Sequence, residues 1–144
     1  MCGDSDTLAS LIQRGLPPNL RNDKGDSLLM LASYYGNLDS TRLLLRLGAN
    51  PELRNDRGQS PLCGVCFKGD LDLAIALLDG GAQVDSSGPD GKTALMFAAM
   101  FDRDELVALL LARGADRQRQ DAMGASAVSL AEAMGASRVL ARLR

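Results

Sequence analysis

The sequence predicts an all-α repeat fold, a solenoid of helix-turn-helix units joined by β-hairpin-like turns, and three observations carry that prediction. Gly25, Gly58, Gly91 and Gly124 follow one another at intervals of 33 residues. In the same register stand Ser27, Ser60, Thr93 and Ser126, then Leu29, Leu62, Leu95 and Val128, then Ala32, Val65, Ala98 and Ala131. A further column, Gly15, Gly48, Gly81 and Gly114, extends the period toward the N-terminus, with Ala49, Ala82 and Ala115 following it. Self-similarity at a fixed period of roughly 20 to 50 residues marks an array of supersecondary units. The chain divides into full units at 22–54, 55–87 and 88–120, with a partial unit at 1–21 and a C-terminal capping unit at 121–144. We read 1–144 as a single repeat domain.

Each unit begins with a helix start. The Ser or Thr of the second column can accept from free amides of the next turn. Pro61 follows Ser60, where a missing donor costs nothing and φ is preset. The first helix runs about two turns, as in Ser60 to Lys68, and stops at Gly36, Gly69 or Gly135, where a left-handed residue ends it cheaply. In the unit 88–120 Asp102 takes that glycine's place, so its turn is expected to deviate. A second helix carries Leu43, Leu44 and Leu45, or Leu109, Leu110 and Leu111, and ends at Gly48, Gly81 or Gly114. The stretches at 22–25, 55–58 and 88–91 are turn-prone and reverse the chain. Helices this short are marginal alone, so stability is expected from stacking, with leucines buried between neighbours and no single central core.

Composition narrows the function. The chain has 144 residues, of which 46% are hydrophobic, enough for one continuous core. Its formal net charge is −2 with basic residues scattered among acids, which excludes the clustered positive field that nucleic acid needs. No apolar run is long enough to span a bilayer, and Met1 to Gln13 lack a signal-peptide pattern, so a soluble cytoplasmic protein is expected. Cys2, Cys63 and Cys66 are too few for a disulfide framework. Histidine is absent, which removes the commonest general base and metal ligand. Nothing combines a nucleophile with an activating base, so no catalytic residues, cofactor or metal are assigned.

Gly58-Gln59-Ser60-Pro61-Leu62, Asp90-Gly91-Lys92-Thr93-Ala94-Leu95 and the run from Leu109 to Asp116 resemble the ankyrin repeat, with its glycine turn, Thr-Pro-Leu-His start and leucine-rich second helix ending in Gly-Ala-Asp. The resemblance covers essentially the whole chain and is nearest to small bacterial ankyrin proteins, judging by the Ala- and Arg-rich second helices. The family histidine is replaced by Met30, Cys63, Met96 and Ser129, so its hydrogen bonds between neighbouring units are absent and cohesion is expected to lean on apolar packing. Proline survives only as Pro61. The final unit runs out in Ser137 to Arg144, where Arg138, Arg142 and Arg144 would supply the polar face of a terminal cap.

The resemblance implies a protein partner held on the concave side, formed by turn tips and the exposed faces of first helices. Transferred residue by residue, it assigns Tyr34 and Tyr35, Phe67 and Lys68, Met100 and Phe101, then Ala133 and Met134. Four of the five aromatics fall there. Equivalent positions should lie about 10 Å apart along the groove. The turn tips add Asp23, Lys24, Asp26, Asp56, Arg57, Gln59, Asp90 and Lys92 as a mixed rim that selects the partner. The plainer reading is that the turn charges keep the tips solvated.

Three local motifs are better explained by the repeat. Residues 86–93 mimic the end of a phosphate-binding loop, but Ser86 replaces its first glycine and the stretch aligns with the other unit turns. Cys63 and Cys66 have the spacing of a redox or metal pair, yet their equivalents Met30, Met96, Ser33 and Ala99 are small or soft, which favours a buried apolar filler. Asp102, Asp104 and Glu105 suit a helix N-terminus. The first functional expectation is therefore a non-catalytic scaffold or regulator, monomeric alone. The alternatives are an accessory factor to a metabolic or redox enzyme, by analogy with small bacterial ankyrin proteins linked to haem catalases, and a thiol-dependent metal or redox carrier.

Overall fold

A computed structural model describes residues 26–143. Asp23, Lys24, the unit 1–21 and Arg144 lie outside the described residues. Those described form eight helices in four antiparallel pairs: α1 (Leu28–Tyr34) with α2 (Leu38–Arg46), α3 (Pro61–Lys68) with α4 (Leu71–Asp79), α5 (Ala94–Met100) with α6 (Asp104–Ala112), and α7 (Ala127–Met134) with α8 (Ser137–Leu143). Between units the chain forms turns, and among the described residues two of these close with a single antiparallel bridge, Ser87 with Thr93 and Gln120 with Ser126.

The helix starts follow the hydroxyl column. Ser27 accepts the amide of Met30 at 3.0 Å, Ser60 that of Cys63 at 3.3 Å, Thr93 that of Met96 at 3.4 Å and Ser126 that of Ser129 at 3.3 Å. Pro61 occupies the first turn of α3. Each bond satisfies a donor that the helix itself cannot, which is why a seven- or eight-residue segment begins at that place and not a residue later.

First helices pack on first helices of the next unit and second on second, so that α1, α3, α5 and α7 form one layer and α2, α4, α6 and α8 the other. The strongest packing partners all belong to the same or an adjoining unit. Leu29, Leu62 and Leu95 are buried in the first layer, and Leu44, Leu77, Leu110 and Leu143 in the second. Of each leucine triplet only the middle residue, Leu44 or Leu110, is fully buried, while Leu43, Leu45, Leu109 and Leu111 are half-buried. A two-turn helix has one face against the opposite layer, and three consecutive residues cannot all share it. The buried residues make one continuous ribbon from Leu29 to Leu143, as expected for an array held by its interfaces.

Two expectations need correction. Asp102 preserves the glycine turn instead of disrupting it: it takes φ 56°, alone among the described non-glycine residues in that region. Aspartate is one of the few side chains that tolerates the left-handed region. Cohesion between units is also more polar than the loss of histidine implied. Asn55 donates to Asp26 at 3.1 Å and Lys92 to Asp121 at 2.9 Å, each link spanning 29 residues. At the intervening interface the corresponding residue is Gly88, which has no side chain to offer. There Arg54 reaches across, donating to Ser86 Oγ at 2.7 Å and to the Ser87 carbonyl.

Candidate functional site: an aromatic groove on the first helices

The C-terminal ends of the first helices place their aromatics at the surface because the inward positions of these helices are already filled by the Leu29 and Ala32 columns. Tyr34 is 45% exposed, Tyr35 70%, Phe67 49% and Phe101 36%. Met100 is half-buried, whereas Lys68, Ala133 and Met134 are exposed. The rings do not form an evenly spaced row. They gather in two edge-to-face pairs, Tyr34 with Tyr35 at 5.6 Å between centroids and Phe67 with Phe101 at 4.9 Å. Ring contact runs diagonally, from a residue of one unit to the next unit's position one further along, so Phe67 meets Phe101, one residue beyond its equivalent Met100.

Lys68 makes the same diagonal step. Its ammonium lies 4.4 Å from the centroid of the Tyr34 ring and donates to the Tyr34 carbonyl at 2.9 Å. In the next unit Arg103 approaches the Phe67 carbonyl at 3.5 Å. Both cations sit at the negative end of a neighbouring helix, where a positive charge is favoured. Lys68 is thus held by Tyr34, and its charge is partly committed to the fold.

Between the turns and the first helices runs a cleft of about 330 Å³, lined among others by Asp26, Leu31, Tyr34, Arg57, Phe67 and Phe97. It continues along the turn tips into a second hollow that shares Arg57, Gln59, Cys63 and Phe97 and adds Pro89, Asp90 and Lys92. The turn residues divide into two kinds. Asp56, Arg57, Gln59 and Asp90 are exposed. Asp26 and Lys92, by contrast, carry the cross-unit links. Asp121 is buried, accepts Lys92 and also accepts the amides of Met123 and Ala125 at 2.9 Å, so its carboxyl is held below the ordinary carboxylate range, chiefly by Lys92.

Phe97 lines both hollows and belongs with this surface, although the sequence reading omitted it. Its place three residues before Met100 and four before Phe101 puts all three on one side of α5, a helical spacing that could have revealed it. Leu31 and Gly64, its equivalents in the two preceding units, line the same cleft.

Cys63 borders both hollows, but neither cysteine has the exposure that redox or metal chemistry requires. Cys63 is 7% and Cys66 0% exposed, and burial pushes both thiols above their ordinary range, so they remain protonated. Asp104 is drawn to Arg142 in a two-pronged ion pair at 2.6 and 3.1 Å, while Asp102 accepts the Val139 amide and Arg138. Thus two of the three carboxylates expected to serve the start of α6 bind the following unit. Among the described residues no group of three or more His, Cys, Asp or Glu is placed to hold a metal, and no helix is long and apolar enough to cross a membrane.

Comparison with known proteins agrees with this architecture. The family model for ankyrin repeats (3 copies) matches residues 1–87, 29–121 and 63–141. An ankyrin repeat protein of Pseudomonas aeruginosa is 68% identical over 40 residues, a match covering 28% of this chain and 23% of that relative's length.

Proposed function

The chain belongs to the ankyrin-repeat family, whose members generally serve as protein-interaction modules, and from that premise we propose that it is a non-catalytic scaffold or regulator that holds one partner protein in its concave groove. The observation that carries the proposal is the exposure of four aromatic rings on successive first helices beside a continuous cleft. Rings at the surface are unfavourable in water unless something covers them, and tyrosine offers large contact area with little rotamer entropy to lose. The exposed Asp56, Arg57, Gln59 and Asp90 form the polar rim, with Asp23 and Lys24 assigned to it by register. The reading includes a cytoplasmic location and a monomeric state in the absence of the partner. Replacing Tyr35 and Phe101 together by Ser tests it: capture of the partner from native extract should be abolished while helical circular dichroism stays unchanged. Undiminished capture would remove the groove from consideration.

A further inference from the structure

Gly64 stands inside α3 at a position where nothing in the packing requires glycine. Its φ is not among the positive values, and a Cβ built on it would meet nothing within 4 Å. Glycine in a helix interior lowers helix stability, so its presence there is a cost without a local structural return. The other units fill this column with Leu31, Phe97 and Leu130, all half-buried. The missing side chain leaves a notch in the floor of the cleft, between Leu31 and Phe97 and beside Met30 and Phe67.

On the other side of the tyrosine pair lies a second cleft, of about 580 Å³, to which Tyr34 and Tyr35 also contribute. Its charged lining is Lys68, Asp70, Asp72 and Glu105. The Lys68 ammonium is taken by the Tyr34 carbonyl, and Asp70 caps α4 by accepting from Leu73 at 3.1 Å. Arg103 packs against Gly69 at the edge of this cleft, so the carboxylates of Asp70, Asp72 and Glu105 face the cations of Lys68 and Arg103, and the exposed Asp72 and Glu105 leave this end of the groove with a net negative charge. The apolar notch and the acidic cleft therefore share Tyr34 and Tyr35 as a common wall, with the Lys68 ammonium over the Tyr34 ring.

We propose that the notch above Gly64 is a socket for one bulky apolar side chain of a partner segment that also carries a basic side chain, the latter lying across the exposed Tyr35 against Asp72 and Glu105. This rests on the groove reading and adds to it the chemistry of the occupant. Filling the socket buries apolar area that is otherwise wet, and the negative end rejects an acidic segment.

A phage-displayed library of randomised peptides, selected on the full chain, tests the proposal. Selected sequences should pair Leu, Ile, Met or Phe with Arg or Lys. Gly64→Leu restores the residue type of the other units and should leave resistance to urea equal or higher, yet weaken binding of a selected peptide about tenfold or more. Alanine in place of the peptide's apolar residue should weaken binding to the unaltered protein to a similar extent, a measurement independent of how the variant folds. Asp72→Asn with Glu105→Gln should erase the preference for Arg or Lys and leave the apolar preference intact. Selection of acidic peptides, selection of none, or unchanged affinity for Gly64→Leu would overturn the socket. If partner capture is lost in the Tyr35 and Phe101 double variant but unaffected by Gly64→Leu, the groove stands and the socket falls. If neither change matters, both fall.

Discussion

Asp102 accepts the backbone amide of Val139 at 3.0 Å, capping the start of a helix 37 residues further along the chain. The first two full units cap their second helices from within, Asn37 accepting the amide of Ser40 and Asp70 that of Leu73, whereas Arg103 at the start of α6 makes no side-chain cap. In the last pair the equivalent residue is Ala136, which has no acceptor on its side chain. Asp102 supplies that acceptor from the neighbouring unit and is at the same time the turn residue of its own, at φ 56°. One carboxylate thus joins the two final units.

Substitutions at Asp102 should separate its two tasks. Asp102→Asn keeps both the acceptor and a side chain that tolerates the left-handed region, and should change stability by less than about 0.5 kcal/mol, since the exposed Arg138 pair contributes little. Asp102→Gly relieves the backbone but removes the cap, for a net loss of about 1 kcal/mol, while Asp102→Ala loses the cap and gains strain, for about 2 to 3 kcal/mol. Urea unfolding gives the order, and hydrogen exchange at the Val139 amide should quicken in the Gly and Ala variants only. A glycine variant as stable as the parent, with Val139 still protected, would contradict the role assigned here.

Gly91 and Gly124 occupy the same column and have similar φ, 77° and 80°, but their surroundings differ. A Cβ on Gly91 would lie 2.9 Å from the Ala122 amide nitrogen and 3.1 Å from the Asp121 Cα, whereas one on Gly124 would meet nothing within 4 Å. Gly124→Ala should cost only the left-handed strain, about 1 to 2 kcal/mol. Gly91→Ala must also push back the next turn, endangering the bond from the Ala122 amide to the Asp90 carbonyl, and should cost at least about 1 kcal/mol more. Equal losses for the two variants in thermal unfolding would disprove this difference.

Acid should loosen the fold through Asp121 and Asp104. Both carboxyls are held below the ordinary 3.8, Asp121 first by the hydrogen bond from Lys92 and Asp104 first by that from Arg142. A depressed pKa stabilises the folded state above the unfolded value, and the contribution disappears as pH falls through the folded value. Stability attributable to these groups should therefore be constant near neutrality and decline below about pH 4. Lys92, raised above 10.5 chiefly by its bond to Asp121, gives the opposite limb, present at neutral pH and lost as pH rises through its raised value. Asp121→Asn should make the acid limb shallower in a pH series of urea melts, and an unaltered limb would count against the pair.

Thiol reactivity should follow unfolding and not a redox cycle. In a Cys2→Ser background, Cys63 and Cys66 should react with an aromatic disulfide reagent slowly in buffer and quickly in urea, because both are buried and protonated. Cys66→Ala should cost about 1 kcal/mol and leave partner capture intact. Rapid modification in buffer would reopen the thiol-carrier reading.

The layout of this fold was readable because each column answers to local physics. A hydroxyl before a helix, a glycine after it and a leucine in its middle do the same work in every unit, whatever surrounds them. The cross-unit pairs Asp26 with Asn55 and Lys92 with Asp121 were also present in the sequence, as complementary residues 29 apart, but only a view of both columns together exposes them. Phe97 lies inside its helix and not at the end where the family resemblance places the contact residues, although its helical spacing to Phe101 puts it on the same side.

The chain by itself determined the period, the helix starts and stops, the buried columns and the side of the array that carries the rings. These depend on interactions within a few residues, repeated until stacking makes them cooperative. Only the tertiary structure decided that Phe67 meets Phe101, that Lys68 is taken up by Tyr34 and that Asp102 caps α8. Each of these depends on the offset between adjoining units, which is set by how their buried faces interlock and cannot be found by lining up equivalent positions.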